Sequence, residues 1–257
     1  EVLVPDPYFV MYKHHVNLAG GVPVPVDTYD DFRLDLDRLA DAITDRTRLL
    51  ILNSPANPTG AVYSDEDLRA IAEIAARRDL LVLSDEIYNL FCYDRPFVSF
   101  ARHYENTLLM RGYSKSYAMT GWRVGWCTGP APILEKMTML QQYSFVCAPS
   151  MAQAAALVAM ETDMTEHTND YRRKRDKVAA ALGKPFGLVA PQGAFYAFVP
   201  APGGDATAFV TRAIENKVLI IPGNVFSERN THFRLSYATS DEKLDAGLEI
   251  LCRLAKG

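Results

Sequence analysis

Leu49-Leu50-Ile51-Leu52 runs into Asn53-Ser54-Pro55-Ala56-Asn57-Pro58-Thr59-Gly60, and Leu80-Leu81-Val82-Leu83 then runs into Ser84-Asp85-Glu86-Ile87-Tyr88. Each apolar run is short, continuous and closed by turn-forming or polar residues, which reads as a strand buried on both faces. Between them Ser64 stands before Asp65, Glu66 and Asp67, a helix start with acidic residues where the helix dipole favours them. Leu68, Ile71, Ala72 and Ala75 then give one apolar stripe at helical spacing. Strand, helix and strand in this order predict a parallel sheet covered by helices.

The same pattern extends outward. Thr107-Leu108-Leu109-Met110 and Val124-Gly125-Trp126-Cys127 read as further strands, and Glu1-Val2-Leu3-Val4-Pro5 as a strand-like opening without an initiator methionine, so upstream residues are expected to be missing. From Pro149 to Leu182 the pattern is helical. Short strands are predicted at Ala194 to Val199, Val218 to Ile221 and Phe233 to Tyr237, with helices at Ala206 to Asn216 and Asp241 to Ala255. The expected class is α/β, a mostly parallel sheet flanked by helices with a smaller C-terminal α+β domain, divided as residues 1–175 and 176–257.

Composition excludes several classes. The 257 residues are 49% hydrophobic and 23% charged, ordinary for a globular chain long enough to bury a sizeable core. A net charge of -4 gives no general attraction to nucleic acid or to an anionic membrane. The basic run Arg172 to Arg175 is expected on a solvated helix face. No apolar run approaches the roughly 18 residues of a membrane span. Cys92, Cys127, Cys147 and Cys252 are widely spaced in apolar surroundings with no clustered histidines, so no metal site is expected, and reduced, buried thiols in a cytoplasmic protein are.

Candidate chemistry gathers just after the predicted strands, where parallel sheets collect their ligand groups. Lys115 lies in the mostly uncharged, aromatic-rich segment Tyr113 to Gly125, where desolvation would lower its pKa and free its amine as a nucleophile. Asp85 ends one strand with Tyr88 three residues on, and Asn57 sits on a proline-constrained turn. Each also has a plain structural explanation: an exposed loop lysine, a helix cap, a turn former, and for Arg123 a surface ion pair.

Taken together, Pro5-Asp6-Pro7-Tyr8-Phe9, Asn57-Pro58-Thr59-Gly60, Ser84-Asp85-Glu86-Ile87-Tyr88, Ser114-Lys115 through Gly125, and Phe233-Arg234-Leu235-Ser236 resemble the fold-type I, class I/II aminotransferases, the aspartate aminotransferase-like group. The resemblance spans nearly the whole chain. It implies the PLP-transferase fold and pyridoxal 5'-phosphate (PLP), with Lys115 forming the Schiff base, Asp85 pairing with the pyridine nitrogen, and Tyr88 and Asn57 bonding the ring's phenolic oxygen. It further implies that Arg123 binds the phosphate, that Phe9 stacks on the ring, and that Arg234, with Asn57 beside it, clamps the substrate α-carboxylate. Many relatives carry a hydroxyl residue where Gly112 stands, and Ser114 or Ser116 could partly replace its contact. Gly193-Ala194-Phe195-Tyr196 resembles a segment near the substrate but suggests no role.

The implied activity is amino-group exchange between an L-amino acid and a 2-oxo acid by a ping-pong mechanism, in a cytoplasmic homodimer with no nucleic-acid or membrane partner. Relatives carry an upstream segment of roughly a hundred residues, a small domain's worth, with part of the phosphate site. A PLP-dependent C–S lyase, an aminocyclopropane-forming synthase and a non-catalytic PLP-binding regulator module remain alternatives, because the same cofactor serves several reactions.

Overall fold

A computed structural model describes residues 1–29 and 31–256. Strands β1 (Val2–Asp6), β2 (Pro23–Asp27), β3 (Leu49–Asn53), β4 (Leu81–Asp85), β5 (Thr107–Gly112) and β6 (Gly125–Thr128) form one sheet in the order β2-β1-β3-β4-β5-β6. The pairings are parallel as far as β5, and β6 joins antiparallel. β2 was hidden from the sequence because Pro23 and Pro25 interrupt it; as an edge strand it tolerates the lost donors.

The helices of this part are α1 (Met11–Leu18), α2 (Leu36–Asp41), α3 (Asp65–Arg77) and the single turn α4 (Tyr113–Ser116). α3 starts where Ser64 predicts, in a capping box: the Ser64 hydroxyl accepts from the Asp67 N–H and the Asp67 carboxylate accepts from the Ser64 N–H. Its Leu68, Ile71 and Ala75 pack with Leu50, Leu52 and Val82 of the sheet into one core.

The remainder holds α5 (Ala131–Gln142), α6 (Ser150–Met160), α7 (Thr165–Phe186), β7 (Tyr196–Pro200), α8 (Ala206–Glu215), β8 (Ile221–Pro222), β9 (His232–Ser236) and α9 (Asp241–Leu254). β7, β9 and β8 make an antiparallel sheet in that order. Its core includes Phe91, Val178, Leu182, Phe209, Phe233 and Leu251. The strand expected at 218–221 is only two residues long, and the helical stretch 149–182 is two helices.

Two expectations fail on burial. Arg172 and Arg173 are exposed, but Lys174 and Arg175 are buried, because the helical period turns half of the run inward. Arg175 is tolerated there by donating to both Asp94 carboxylate oxygens (2.9 and 2.8 Å) and to the Pro191 carbonyl (2.8 Å). Cys147 is exposed, and the other three cysteines are half-buried. Among the described residues no helix is long and apolar enough to cross a membrane.

The Asn57 turn is pinned to the segment just before β7 through Gly60, whose carbonyl accepts from the N–H groups of Gln192 and Gly193 (2.8 Å each). Gly60 has φ +72°, and a Cβ there would lie 2.9 Å from the Gly193 carbonyl oxygen. Gly60→Ala is therefore expected to destabilise the protein by about 2 kcal/mol or more, measured by urea unfolding.

Candidate active site

Parallel register makes Asn53 and Asp85 direct partners at the carboxyl ends of β3 and β4. The Asn53 amide then ties the following turn in place, donating to the Asp85 carbonyl (3.0 Å) and accepting from the Asn57 N–H (2.8 Å). Above these strand ends lies a cavity of about 390 Å³. Phe9, Asn57, Asp85, Tyr88, Lys115 and Arg123 all line it. Arg234, on β9, reaches the same place by donating to the Asn57 side-chain oxygen (2.9 Å) across 177 residues of sequence.

Ser114 lines a neighbouring, more open cleft instead, to which Arg123 also contributes. Ser116 is buried, and its hydroxyl donates to the Ile87 carbonyl (3.3 Å) and to Asn89 (3.0 Å), so it is committed to the loop after β4.

The electrostatics of the cavity are lopsided. The buried Asp85 carboxylate accepts from the Tyr12 hydroxyl (2.7 Å) and the Ile87 N–H (3.1 Å). Burial raises its pKa against these two bonds, and no cation pairs with it among the described residues. Burial lowers the Lys115 pKa, helped by the positive charges of Arg123 and Arg234. The Lys115 ammonium makes no hydrogen bond or ion pair among the described residues. The Arg123 guanidinium donates to the Thr120 carbonyl, from a backbone with φ +52°.

Arg234 lies between two rings, with its guanidinium carbon 4.5 Å from the Tyr196 centroid and 4.6 Å from that of Phe226. Burial depresses even its pKa. Tyr88 and Tyr196 share a hydroxyl–hydroxyl hydrogen bond of 3.2 Å, and burial pushes the Tyr88 phenol well up. Three cations without carboxylate partners thus gather around one buried carboxylate.

Tyr12, Asn53, Tyr196 and Phe226 were not picked out as site residues from sequence. Tyr12 had a usable signal, a phenol three residues after Phe9, with which it makes an edge-on ring contact at 5.6 Å. The other three depend on contacts between distant segments.

The sequence profile of the family described as "Aminotransferase class I and II" matches residues 1–251. The chain belongs to that family. This aminotransferase is 40% identical to aromatic-amino-acid aminotransferase 2 of Thermococcus litoralis, over 100% of the chain and 70% of that protein. It is 39% identical to the aspartate/prephenate aminotransferase of Thermus thermophilus, over 99% of the chain and 69% of the relative.

A solved aromatic aminotransferase from Pyrococcus horikoshii superposes with TM-score 0.95 at 40% identity, covering 99% of the chain and 73% of that structure. The aspartate aminotransferase from Thermus thermophilus with maleate gives 0.93 at 38% identity, covering 98% and 69%. The fold is that of the fold-type I, PLP-dependent transferases.

The cavity's chemistry fits that cofactor. Unpaired cations suit a phosphate dianion, and a carboxylate without a cation suits a protonated pyridine nitrogen. Tyr12→Phe removes a hydrogen bond to a charged group that supports the ionised form of Asp85. We expect the dissociation constant for PLP to rise about tenfold, read by titrating the apo-protein, with the fold retained by circular dichroism.

Proposed function

We propose that the aminotransferase exchanges an amino group between an L-amino acid and a 2-oxo acid by a ping-pong mechanism, with Lys115 as the amine that bonds the cofactor. One observation carries this reading: a lone, desolvated lysine shares a cavity with a cation-free buried carboxylate and with the Arg234–Asn57 pair. Bound PLP supplies the electron sink that makes the substrate α-carbon acidic.

Everything else falls to the chain's own side chains. Lys115 Nζ, whose lowered pKa favours the free base, accepts the proton from the substrate α-carbon and returns it. Asp85 holds the pyridine nitrogen protonated. Tyr88 and Asn57 donate to the ring oxygen, Phe9 stacks on the ring, and Arg123 takes the phosphate, with Ser114 beside it in the adjoining cleft. Arg234 grips the substrate α-carboxylate with a planar fork, and its two flanking rings limit how far the guanidinium can swing.

We further divide the chain at 175/176 into a PLP-binding part around the six-stranded sheet and a C-terminal part around the three-stranded one. A homodimer accounts for the exposed apolar side chains that crowd α5, α6 and the loop between them, including Leu140, Tyr143, Phe145, Met151 and Leu157.

Borohydride reduction of the protein with PLP, followed by peptide mass mapping, is expected to leave the pyridoxyl group on Lys115. Lys115→Ala is expected to lose that adduct and all transamination; turnover comparable to wild type would sink the assignment. Arg234→Ala is expected to raise KM for amino acids at least tenfold while the visible cofactor absorbance stays intact. Loss of bound cofactor in that variant would move Arg234 out of the substrate site.

A further inference from the structure

β1 and β2 end side by side in two carboxylates, Asp6 and Asp27, which are partners in the parallel register. Their surroundings differ sharply. Asp27 collects the neighbourhood's positive charge, with Arg229 at 2.6 Å and Arg38 at 3.3 Å from Oδ2, and its Oδ1 accepts from the Tyr29 N–H. Asp6 is only 7% exposed, and its side chain has one partner among the described residues, the Ser227 hydroxyl at 3.0 Å from Oδ2. Among the described residues, neither its buried Oδ1 nor the buried Tyr29 hydroxyl has a hydrogen bond. Buried polar atoms left in this state are uncommon and costly.

The Asp6–Ser227 bond joins two segments of the active site that are 221 residues apart. One residue beyond Asp6's neighbour Pro7, the Tyr8 N–H donates to the Phe226 carbonyl (2.9 Å), and Phe9 then lines the cavity. On the other side Ser227 follows Phe226, whose ring rests on Arg234. The Ser227 oxygen also accepts from the Arg229 N–H (3.1 Å), which closes the turn. Whatever changes the Asp6–Ser227 contact is thereby felt at the guanidinium seat.

We propose that Asp6 is a positioning residue whose ionised carboxylate holds the segment that seats Arg234 through the Ser227 hydroxyl, and that protonation of Asp6 slackens this hold. A proton on Asp6 removes the like-charge contact with Asp27 but leaves a neutral acid, a weaker acceptor for the Ser227 hydroxyl. Burial, the Asp27 charge and the Glu228 charge raise the Asp6 pKa to about 6, opposed by the Ser227 hydroxyl and Arg229. Among the described residues, the remaining charged or titratable groups facing the cluster are Arg38 with Asp35, Lys13 with Glu228, Tyr8, Tyr29, and His232, whose ring lies 5.3 Å from that of Tyr29. A histidine ordinarily titrates in the same range, so the Asp6 contribution is isolated by substitution.

The sign follows from linkage. A carboxyl whose folded pKa is raised from 3.8 to about 6 favours the folded state below 3.8 and loses that contribution as pH rises through 6. The proposal rests on the assignment of the substrate carboxylate to Arg234, and two readouts keep the two claims apart. The first is the thermal midpoint of wild type, Asp6→Asn and Ser227→Ala from pH 5 to pH 8. The Asp6→Asn midpoint minus that of wild type is expected to grow by roughly 4 °C as pH rises across 6.

The second readout is KM. In wild type, KM for the amino acid is expected to fall about fivefold as pH rises across that inflection with kcat unchanged, and Asp6→Asn is expected to abolish the inflection. Ser227→Ala, which removes the contact itself, is expected to abolish the KM inflection as well, while the inflection in the thermal midpoint moves to higher pH. A midpoint difference independent of pH, or a wild-type KM inflection retained in Asp6→Asn or in Ser227→Ala, would overturn the proposal. If Arg234→Ala leaves KM unchanged while the midpoints behave as expected, the carboxylate assignment fails and the proton-linked contact stands.

Discussion

A buried carboxylate needs a partner, and among the described residues Asp85 has only two neutral donors. The last residue of β4 places it at the floor of the cavity, where desolvation works against its charge. Much of the surrounding structure serves to hold a group in this unfavourable state. Tyr12 and the Ile87 N–H keep the carboxylate oriented, and Asn53 locks the Asp85 backbone to the turn carrying Asn57. A charge kept short of a counter-ion by a rigid frame is a binding site for a cation of the right shape.

The next residue shows the opposite solution. Glu86 is also buried, but its carboxylate is saturated by Ser84, Ser99, the Phe100 N–H and two donors of Arg111. It stabilises the sheet where β4 and β5 run side by side, because strand alternation sends neighbouring side chains to opposite faces. Arg111 is thereby consumed as a structural cation, although it lines the cavity. Among the described residues Lys115, Arg123 and Arg234 are not consumed by any carboxylate, and the positive character of the site comes from these three.

The site is also a junction between the two sheets. Asn57 comes from the turn after β3, Arg234 from β9, and the contact between them depends on Gly60 holding the turn against residues 192 and 193. Phe226 and Tyr196 complete the guanidinium seat from two further segments. A shift of the small sheet would therefore alter the seat of the Arg234 guanidinium while leaving Asp85 and Lys115 on the larger sheet undisturbed.

The sequence by itself determined the α/β class, the strands ending at Asn53 and Asp85, the capped helix after Ser64, and four of the cavity's ionisable groups, Asp85, Tyr88, Lys115 and Arg123. Those features are local: apolar runs, cap chemistry and residues placed directly after strands. It did not show β2, whose prolines mimic a loop until an edge position makes them harmless, nor the inward half of the Arg172 to Arg175 run, which depends on Asp94 being in reach. Tertiary structure alone decided that Ser114 faces a different cleft, that Tyr12 bonds Asp85, and that Asp6 and Asp27 divide their counter-ions unequally. Each of these depends on which distant segment supplies the partner, and hydrogen bonds and ion pairs across tens to hundreds of residues leave no periodic trace in a single chain.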